Sequence, residues 1–241
     1  MGRVALVTGA SRGLGRGVAK ALAEAGYTVA ANYRSNDDAA ASLEAESPVK
    51  TYKWDVSDND ACVEGVARVV SDLGPVEVLV NNAGVSPDKF LHKMSPELWK
   101  HVIDTNLNSF FHVTHQVITP MRQAGFGRIV NMASLSAFAP SYGETSYGAA
   151  KGAMVSFTKA LAKESIAKGI TVNAVAPGYC DTEMVNTAPK EWLDNLIANV
   201  IPAGRLGTVE DVARCVLFLT AEEASFITGA TIDVNGGHLM R

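Results

Sequence analysis

The chain reads as an α/β fold: a doubly wound parallel sheet of about seven strands with helices packed on both faces. Three observations predict it. Short apolar runs of strand length alternate with longer stretches of helical periodicity from one end of the chain to the other. Runs such as Val4-Ala5-Leu6-Val7 are apolar at consecutive positions, as strands covered on both faces are. Glycine, asparagine and proline gather just after these runs, where the chain turns off the carboxyl edge of a sheet.

Composition bounds the rest. With 241 residues, 47% of them hydrophobic and 19% charged, the chain is expected to form one domain over 1–241 with an ample core. The net charge of −4 and the lack of a basic cluster argue against nucleic acid and against an anionic membrane surface as partners. No apolar run reaches transmembrane length, and the first residues read as a strand and a turn rather than a leader. Cys62, Cys180 and Cys215 are odd in number and widely spaced, which suggests reduced thiols and a cytoplasmic setting. His112 and His115 are three apart, but no carboxylates or thiols stand at ligand spacing, so no metal is expected.

In chain order, the first strand runs into Thr8-Gly9-Ala10-Ser11-Arg12-Gly13-Leu14-Gly15 and then a helix with Leu14, Val18, Ala21, Leu22 and Ala25 on one face. A strand, a glycine turn and a helix start together form a phosphate site, because unpaired amides and the helix dipole point at the anion. Gly13 and Gly15 leave room for a pyrophosphate to reach the backbone. The second strand (28–33) ends in Tyr33-Arg34-Ser35. A carboxylate at that point suits the ribose 2′-hydroxyl of NAD, whereas arginine accommodates a 2′-phosphate. Arg34 and Arg12 therefore favour NADP(H), with Asp37 and Asp38 leaving NAD as the alternative.

A third strand (49–54) delivers Asp55-Val56, a helix follows over 58–73, and a fourth strand (76–80) runs directly into Asn81-Asn82-Ala83-Gly84. A long helical stretch over 95–123 carries Asn106 between the apolar Ile103, Leu107 and Phe110. A buried amide needs a partner, so Asn106 is expected to serve a polar or ligand-binding role. The fifth strand (128–133) ends at Ser134, and a helix over 145–168 carries Tyr147 and Lys151. Positions four apart share a helix face, so the ammonium stands beside the phenol and is expected to draw its pKa down toward neutrality. Such a tyrosine can exchange a proton with a carbonyl or alcohol oxygen. The sixth strand (170–175) leads into Pro177-Gly178-Tyr179-Cys180-Asp181-Thr182. Residues 183–207 are a candidate substrate-loop region, a helix follows the threonine cap at Thr208, and 230–234 is the last strand. Gly9 to Gly15, Arg34, Asp55, Asn82 to Gly84, Ser134 and Pro177 to Thr182 all fall at strands' carboxyl ends, which is where a Rossmann-like sheet binds its ligand.

Taken together, Thr8-Gly9-x3-Gly13-x-Gly15, Asn81-Asn82-Ala83-Gly84, Asn106, Ser134, Tyr147-x3-Lys151 and Pro177-Gly178-x3-Thr182 resemble the short-chain dehydrogenase/reductase family over essentially the whole chain. The resemblance implies a catalytic set of Asn106, Ser134, Tyr147 and Lys151. Tyr147 is then the general acid, Ser134 binds the substrate carbonyl, Lys151 holds the nicotinamide ribose, and Asn106 supports a water relay to Lys151. It implies that Gly9, Ser11, Arg12, Gly13, Leu14, Gly15, Tyr33, Arg34, Asp55, Val56, Asn82, Ala83, Gly84, Tyr147, Lys151, Pro177, Gly178, Tyr179 and Thr182 contact NADPH/NADP. Local likenesses at 82–88, 102–106 and 235–237 point to the branch that reduces 3-oxoacyl thioesters of coenzyme A or acyl carrier protein, usually as homotetramers. The alternatives are a dehydrogenase of a polyol, sugar or steroid alcohol and a non-catalytic NADP-sensing protein. The intact proton-transfer set speaks against a sensor.

Overall fold

The computed structural model describes residues 2–241, apart from the side chain of Met184. Seven strands form one sheet in the order β3-β2-β1-β4-β5-β6-β7. They are β1 Val4–Val7, β2 Thr28–Tyr33, β3 Val49–Lys53, β4 Val78–Asn81, β5 Gly127–Met132, β6 Ile170–Pro177 and β7 Thr231–Val234. Every neighbouring pair is parallel. All seven carboxyl ends therefore open on one edge, and the order reverses direction between β1 and β4, where a ligand crevice forms.

Helices cover both faces. They are α1 Gly13–Glu24, α2 Asp37–Glu46, α3 Asn59–Leu73, α4 Pro96–Ile103, α5 Ser109–Ala124, α6 Thr145–Ser165, α7 Glu183–Asn186, α8 Lys190–Asn199 and α9 Val209–Thr220. One core layer packs Val18 and Leu22 of α1 with Val212, Val216 and Leu219 of α9 on the sheet. The opposite layer packs Val66 and Val69 of α3 with Val113, Val117 and Met121 of α5. Helix starts follow local chemistry: Asp58 accepts from Asp60 and Ala61 amides at α3, and Thr208 with Asp211 forms a reciprocal capping box at α9. Helix α2, which the sequence reading did not mark, buries only Ala40 and Leu43, too few apolar positions to give a period.

The stretch expected as one helix over 95–123 is interrupted. Between α4 and α5, residues Asp104–Asn108 form a π-helical turn, with Asn106 inside it. Such single wide turns sit inside α-helices mostly at functional sites. Among the described residues, no helix is long and apolar enough to cross a membrane.

Candidate active site

The glycine turn after β1 is built by its neighbours. Thr8 Oγ1 accepts from the amides of Asn82 (2.9 Å) and Ala83 (3.1 Å), and Asn82 Nδ2 donates to the carbonyls of Thr8 (2.9 Å) and Gly9 (3.1 Å). From the other side Asn32 Oδ1 accepts from the Gly9 amide at 3.3 Å. Gly9 lies at φ 63°, and a Cβ there would meet Ala83 Cα at 2.8 Å. A Cβ on Gly15 would lie 2.4 Å from both Asn82 Nδ2 and the Gly9 carbonyl, so this glycine is required for close packing.

Gly13 differs. It too has a positive φ, 54°, yet a Cβ there would meet only the Thr182 methyl, at 4.0 Å. The space over Gly13 is open at the start of α1 and bounded across the crevice by the loop after β6. A cradle of this kind, at a helix N-terminus, fits a dinucleotide's phosphates. Arg12 lies beside it, its guanidinium 3.7 Å from Glu183 with both side chains exposed. Arg34, just past β2, is 3.9 Å from Asp55. Ser11 lends its carbonyl to Arg16 at 3.3 Å, and Leu14 turns inward against the core. Asp55 Oδ1 accepts from the Ser57 amide and hydroxyl at 2.9 and 2.7 Å, while the Val56 carbonyl accepts from His112 Nδ1 at 3.1 Å.

Asn106 is fully buried and its amide is spoken for. Its Oδ1 accepts from the Val85 amide at 2.9 Å, and Nδ2 donates to the carbonyls of Val85 (2.8 Å) and Val102 (3.0 Å). The π-turn thus clamps the loop after β4, and Gly84 must lack a side chain because a Cβ would lie 2.5 Å from Asn106 Oδ1. The amide expected to need a partner finds it in the backbone of Val85.

Ser134 follows β5 at the carboxyl edge. Its Oγ accepts from the Ser136 amide at 3.1 Å, which leaves the hydroxyl proton to donate elsewhere. Ser134 is hydrogen-bonded close enough to Tyr147 to ease that phenol's ionisation. Gly148 lets α6 approach the preceding loop, since a Cβ there would meet Pro140 Cβ at 2.9 Å. Lys151, 3% exposed, donates from Nζ to the Met132 carbonyl at 2.6 Å, and that Nζ lies 5.6 Å from the Tyr147 ring centroid.

The electrostatics correct the expected pKa pattern. Burial pushes the Tyr147 phenol up to about 12, only partly offset by the Ser134 hydrogen bond. Burial likewise brings the Lys151 ammonium down to about 7. The lysine spends its shortest hydrogen bond on a carbonyl of β5 rather than on the phenol, so desolvation outweighs the pairing the four-residue spacing suggested. The outcome is a phenol that keeps its proton at neutral pH beside a lysine poised to change charge there.

The loop after β6 is held by aromatic contacts. The Tyr179 ring stands edge-on to Trp192 of α8 at 5.4 Å and stacks on His238 at 5.8 Å, and its hydroxyl is 3.4 Å from Ser141 Oγ. Pro177 ends β6, and Gly178 packs against Asn235, where a Cβ would lie 2.8 Å from Asn235 Cβ. The sequence reading missed the clamps formed by Thr8 and Asn32. It also missed a buried chain in which Asn81 Nδ2 donates to Thr114 Oγ1 and Asn131 Oδ1, and Asn131 Nδ2 to Thr158 Oγ1. Polar residues inside apolar strands were the available signal. Among the described residues, no three His, Cys, Asp or Glu side chains group as a metal site would.

Residues 9–238 match the family model described as enoyl-(acyl carrier protein) reductase. The chain is 55% identical over 237 residues to the acetoacetyl-CoA reductase of Rhizobium meliloti, covering 98% of each chain. It is 52% identical over 238 residues to the acetoacetyl-CoA reductase of Paracoccus denitrificans, again at 98% of each. Over 237 residues it is 40% identical to the 3-oxoacyl-acyl-carrier-protein reductase FabG of Haemophilus influenzae, at 98% of each. The family description refers to reduction of a carbon–carbon double bond, whereas these relatives are named for reduction of a ketone. With a parallel sheet, a glycine cradle at α1 and a Ser134–Tyr147–Lys151 grouping beside it, the chain belongs to the short-chain dehydrogenase/reductase family of nicotinamide-dependent oxidoreductases.

Proposed function

We propose that this protein reduces a 3-oxoacyl thioester, acetoacetyl-CoA foremost, to the 3-hydroxyacyl thioester with NADPH. The observation that carries the reading is the grouping of Ser134, just past β5, with Tyr147 and Lys151 of α6 at the sheet's carboxyl edge, the Lys151 Nζ 5.6 Å from the Tyr147 ring centroid. A ketone oxygen gains negative charge as it is reduced, and two donors aimed at one point stabilise that charge. Ser134 turns its hydroxyl proton to the oxygen, and Tyr147 delivers the proton that completes the alcohol. The upward shift of Tyr147 suits this direction, because a general acid must hold its proton before the reaction. Lys151 retains N–H protons beyond the one given to Met132, enough to hold a ribose hydroxyl. Asn106 acts by holding Val85 and the loop after β4 in place. The dinucleotide supplies the hydride. Gly9, Ser11, Arg12, Gly13, Leu14 and Gly15 cradle its phosphates, Asp55, Val56 and Asn82–Gly84 border its adenosine, and Pro177–Thr182 its nicotinamide side.

NADPH is favoured over NADH because Arg34 and Arg12 are each held only loosely by a carboxylate, at 3.9 and 3.7 Å, and are free to turn to a 2′-phosphate. The thioester arm lies in the cleft walled by Phe90, Leu91, Pro140 and Tyr142, which Pro140 joins to α6 one residue past Tyr147. Helix α8 packs on the loop after β6 through Trp192 and Tyr179, and with α7 it acts as the substrate loop. Coenzyme A is the preferred carrier: the relatives at 52–55% identity are named for it, those at 40–41% for the carrier protein. By the family resemblance, a position that is basic in carrier-protein reductases corresponds to Gly125 here, while a second corresponds to Lys168. Exposed apolar side chains on α5 (Phe111) and α9 (Phe218) support a homotetramer, and reduced cysteines a cytoplasmic setting.

The test is a set of kcat/KM values for acetoacetyl-CoA, the same acyl group on acyl carrier protein, and crotonyl-CoA, each with NADPH and NADH. We expect efficient acetoacetyl-CoA reduction and none of crotonyl-CoA. A hundredfold preference for the carrier protein would overturn the choice of carrier, and reduction of crotonyl-CoA alone would overturn the reaction.

A further inference from the structure

Asp37 opens α2 four residues beyond the end of β2, close behind the strand end at which a carboxylate selects the 2′-hydroxyl of NAD and disfavours a 2′-phosphate. Here its charge is met on two sides. Lys53 Nζ donates to both Asp37 oxygens at 2.8 Å, and the Tyr33 hydroxyl donates to Oδ1 at 2.9 Å. Tyr33 and Lys53 are register partners at the ends of β2 and β3, so the sheet itself brings the two donors side by side. The contrast with the arginines is sharp. Arg34 and Arg12 stand 3.9 and 3.7 Å from their carboxylates, beyond hydrogen-bonding distance, while the competing carboxylate is bound tightly.

We infer that Lys53 is a specificity-determining residue for the cofactor that acts through Asp37: by neutralising and holding that carboxylate, it lets the end of β2 accept a 2′-phosphate without itself binding it. The inference rests on the NADPH reading. An exposed ion pair of this kind contributes little to stability. Its effect on a ligand is larger, because an unmasked carboxylate would face a dianion within about one Debye length. Asp38 beside it on α2 and Glu44 further along the same helix are also acidic, so they add to the negative charge left by the loss of the lysine rather than offset it.

The experiment is a double-mutant cycle of Lys53→Met, Asp37→Asn and both together. Dissociation constants for 2′,5′-ADP and 5′-AMP are measured by calorimetry at low salt, beside KM for NADPH and NADH. Lys53→Met should weaken 2′,5′-ADP about threefold to tenfold. The affinity for 5′-AMP should stay within about twofold, which also reports that the exposed substitution leaves the fold intact. Asp37→Asn added to Lys53→Met should restore 2′,5′-ADP binding to within about twofold of wild type. If Lys53→Met leaves 2′,5′-ADP unchanged while wild type still prefers NADPH, this inference fails and the cofactor reading stands. A double variant as weak as Lys53→Met alone would mean that Lys53 contacts the phosphate directly, which also overturns it. A wild type with no preference for NADPH overturns both.

Discussion

Replacing Gly84 by alanine tests whether the buried amide of Asn106 is the clamp that holds the loop after β4. The new Cβ would stand 2.5 Å from Asn106 Oδ1, a separation that real Cβ atoms do not show. The amide cannot swing aside cheaply, because it is fully buried and bound to Val85 N, Val85 O and Val102 O at 2.8–3.0 Å. Relieving the clash breaks the pair of bonds to Val85, worth about 0.5–1.5 kcal/mol each, and strands a polar group that costs about 1–3 kcal/mol. A loss of about 2–4 kcal/mol follows, or a fall in Tm of roughly 5–15 °C for a domain of this size. Urea unfolding of Gly84→Ala, Asn106→Ala and the double variant measures it. The two changes should be strongly non-additive, since removing the amide also removes the clash. Gly84→Ala within about 0.5 kcal/mol of wild type, or a strictly additive double variant, would show that the loop absorbs the methyl group and that the clamp is incidental.

Three further outcomes are expected. Tyr147→Phe should abolish nearly all ketone reduction while leaving NADPH affinity within about threefold, because the ring is kept and only the proton is lost; a wild-type kcat would end the assignment. Arg34→Ala should erase most of an NADPH preference of at least about tenfold, since a hydrogen bond to a charged group is worth about 1.5–3 kcal/mol; unequal cofactor use that survives the change would refute it. The third concerns pH. Burial brings the folded Lys151 down to about 7, against 10.5 for the ordinary side chain. Between those values the unfolded chain holds a proton the folded one lacks, so stability rises with pH, by at most about 1.4 kcal/mol per unit. Tyr147, raised to about 12 from 10.0, lowers stability only in that higher range. Urea melts of nucleotide-free wild type and Lys151→Met at pH 7 and 9 should show wild type gaining on the variant, and the opposite trend would refute the buried lysine.

The strands and most helices could be read from the sequence because many carry a local signal: apolar runs for strands such as β1 and β4, glycine after α1 and α3, and the threonine cap before α9. The glycine turn after β1, Asn82–Gly84 and Ser134 could be placed because they lie at strand ends, which the alternation of elements locates, and Tyr147 and Lys151 because their spacing fits one helix face. Three features escaped. The π-turn at Asp104–Asn108 adds a single residue to a helix, and no periodicity records that. The roles of Thr8 and Asn32 depend on β1 having β4 on one side and β2 on the other, an adjacency set by topology. The pKa values of Tyr147 and Lys151 depend on burial by distant segments, while the four-residue spacing reports only their mutual approach. Local chemistry was legible; whatever needed two remote segments to meet was not.

The placement of β1 has a cost during synthesis. Its residues Ala5, Leu6 and Val7 pair on one side with β4 residues Val78, Leu79 and Val80, roughly seventy positions later in the chain. At about 5–20 residues per second, a ribosome leaves that edge and its apolar side chains unpartnered for several seconds. The loop after β6 that closes the crevice opposite Gly13 emerges later still, so a nascent chain passes through a long interval as a partial sheet with no ligand to steady it. Parallel pairings between distant segments are slow to form and expose sticky edges meanwhile. The same single-edge arrangement that gathers the catalytic groups therefore makes the chain's yield, more than its final stability, sensitive to temperature and to the chaperones that meet it.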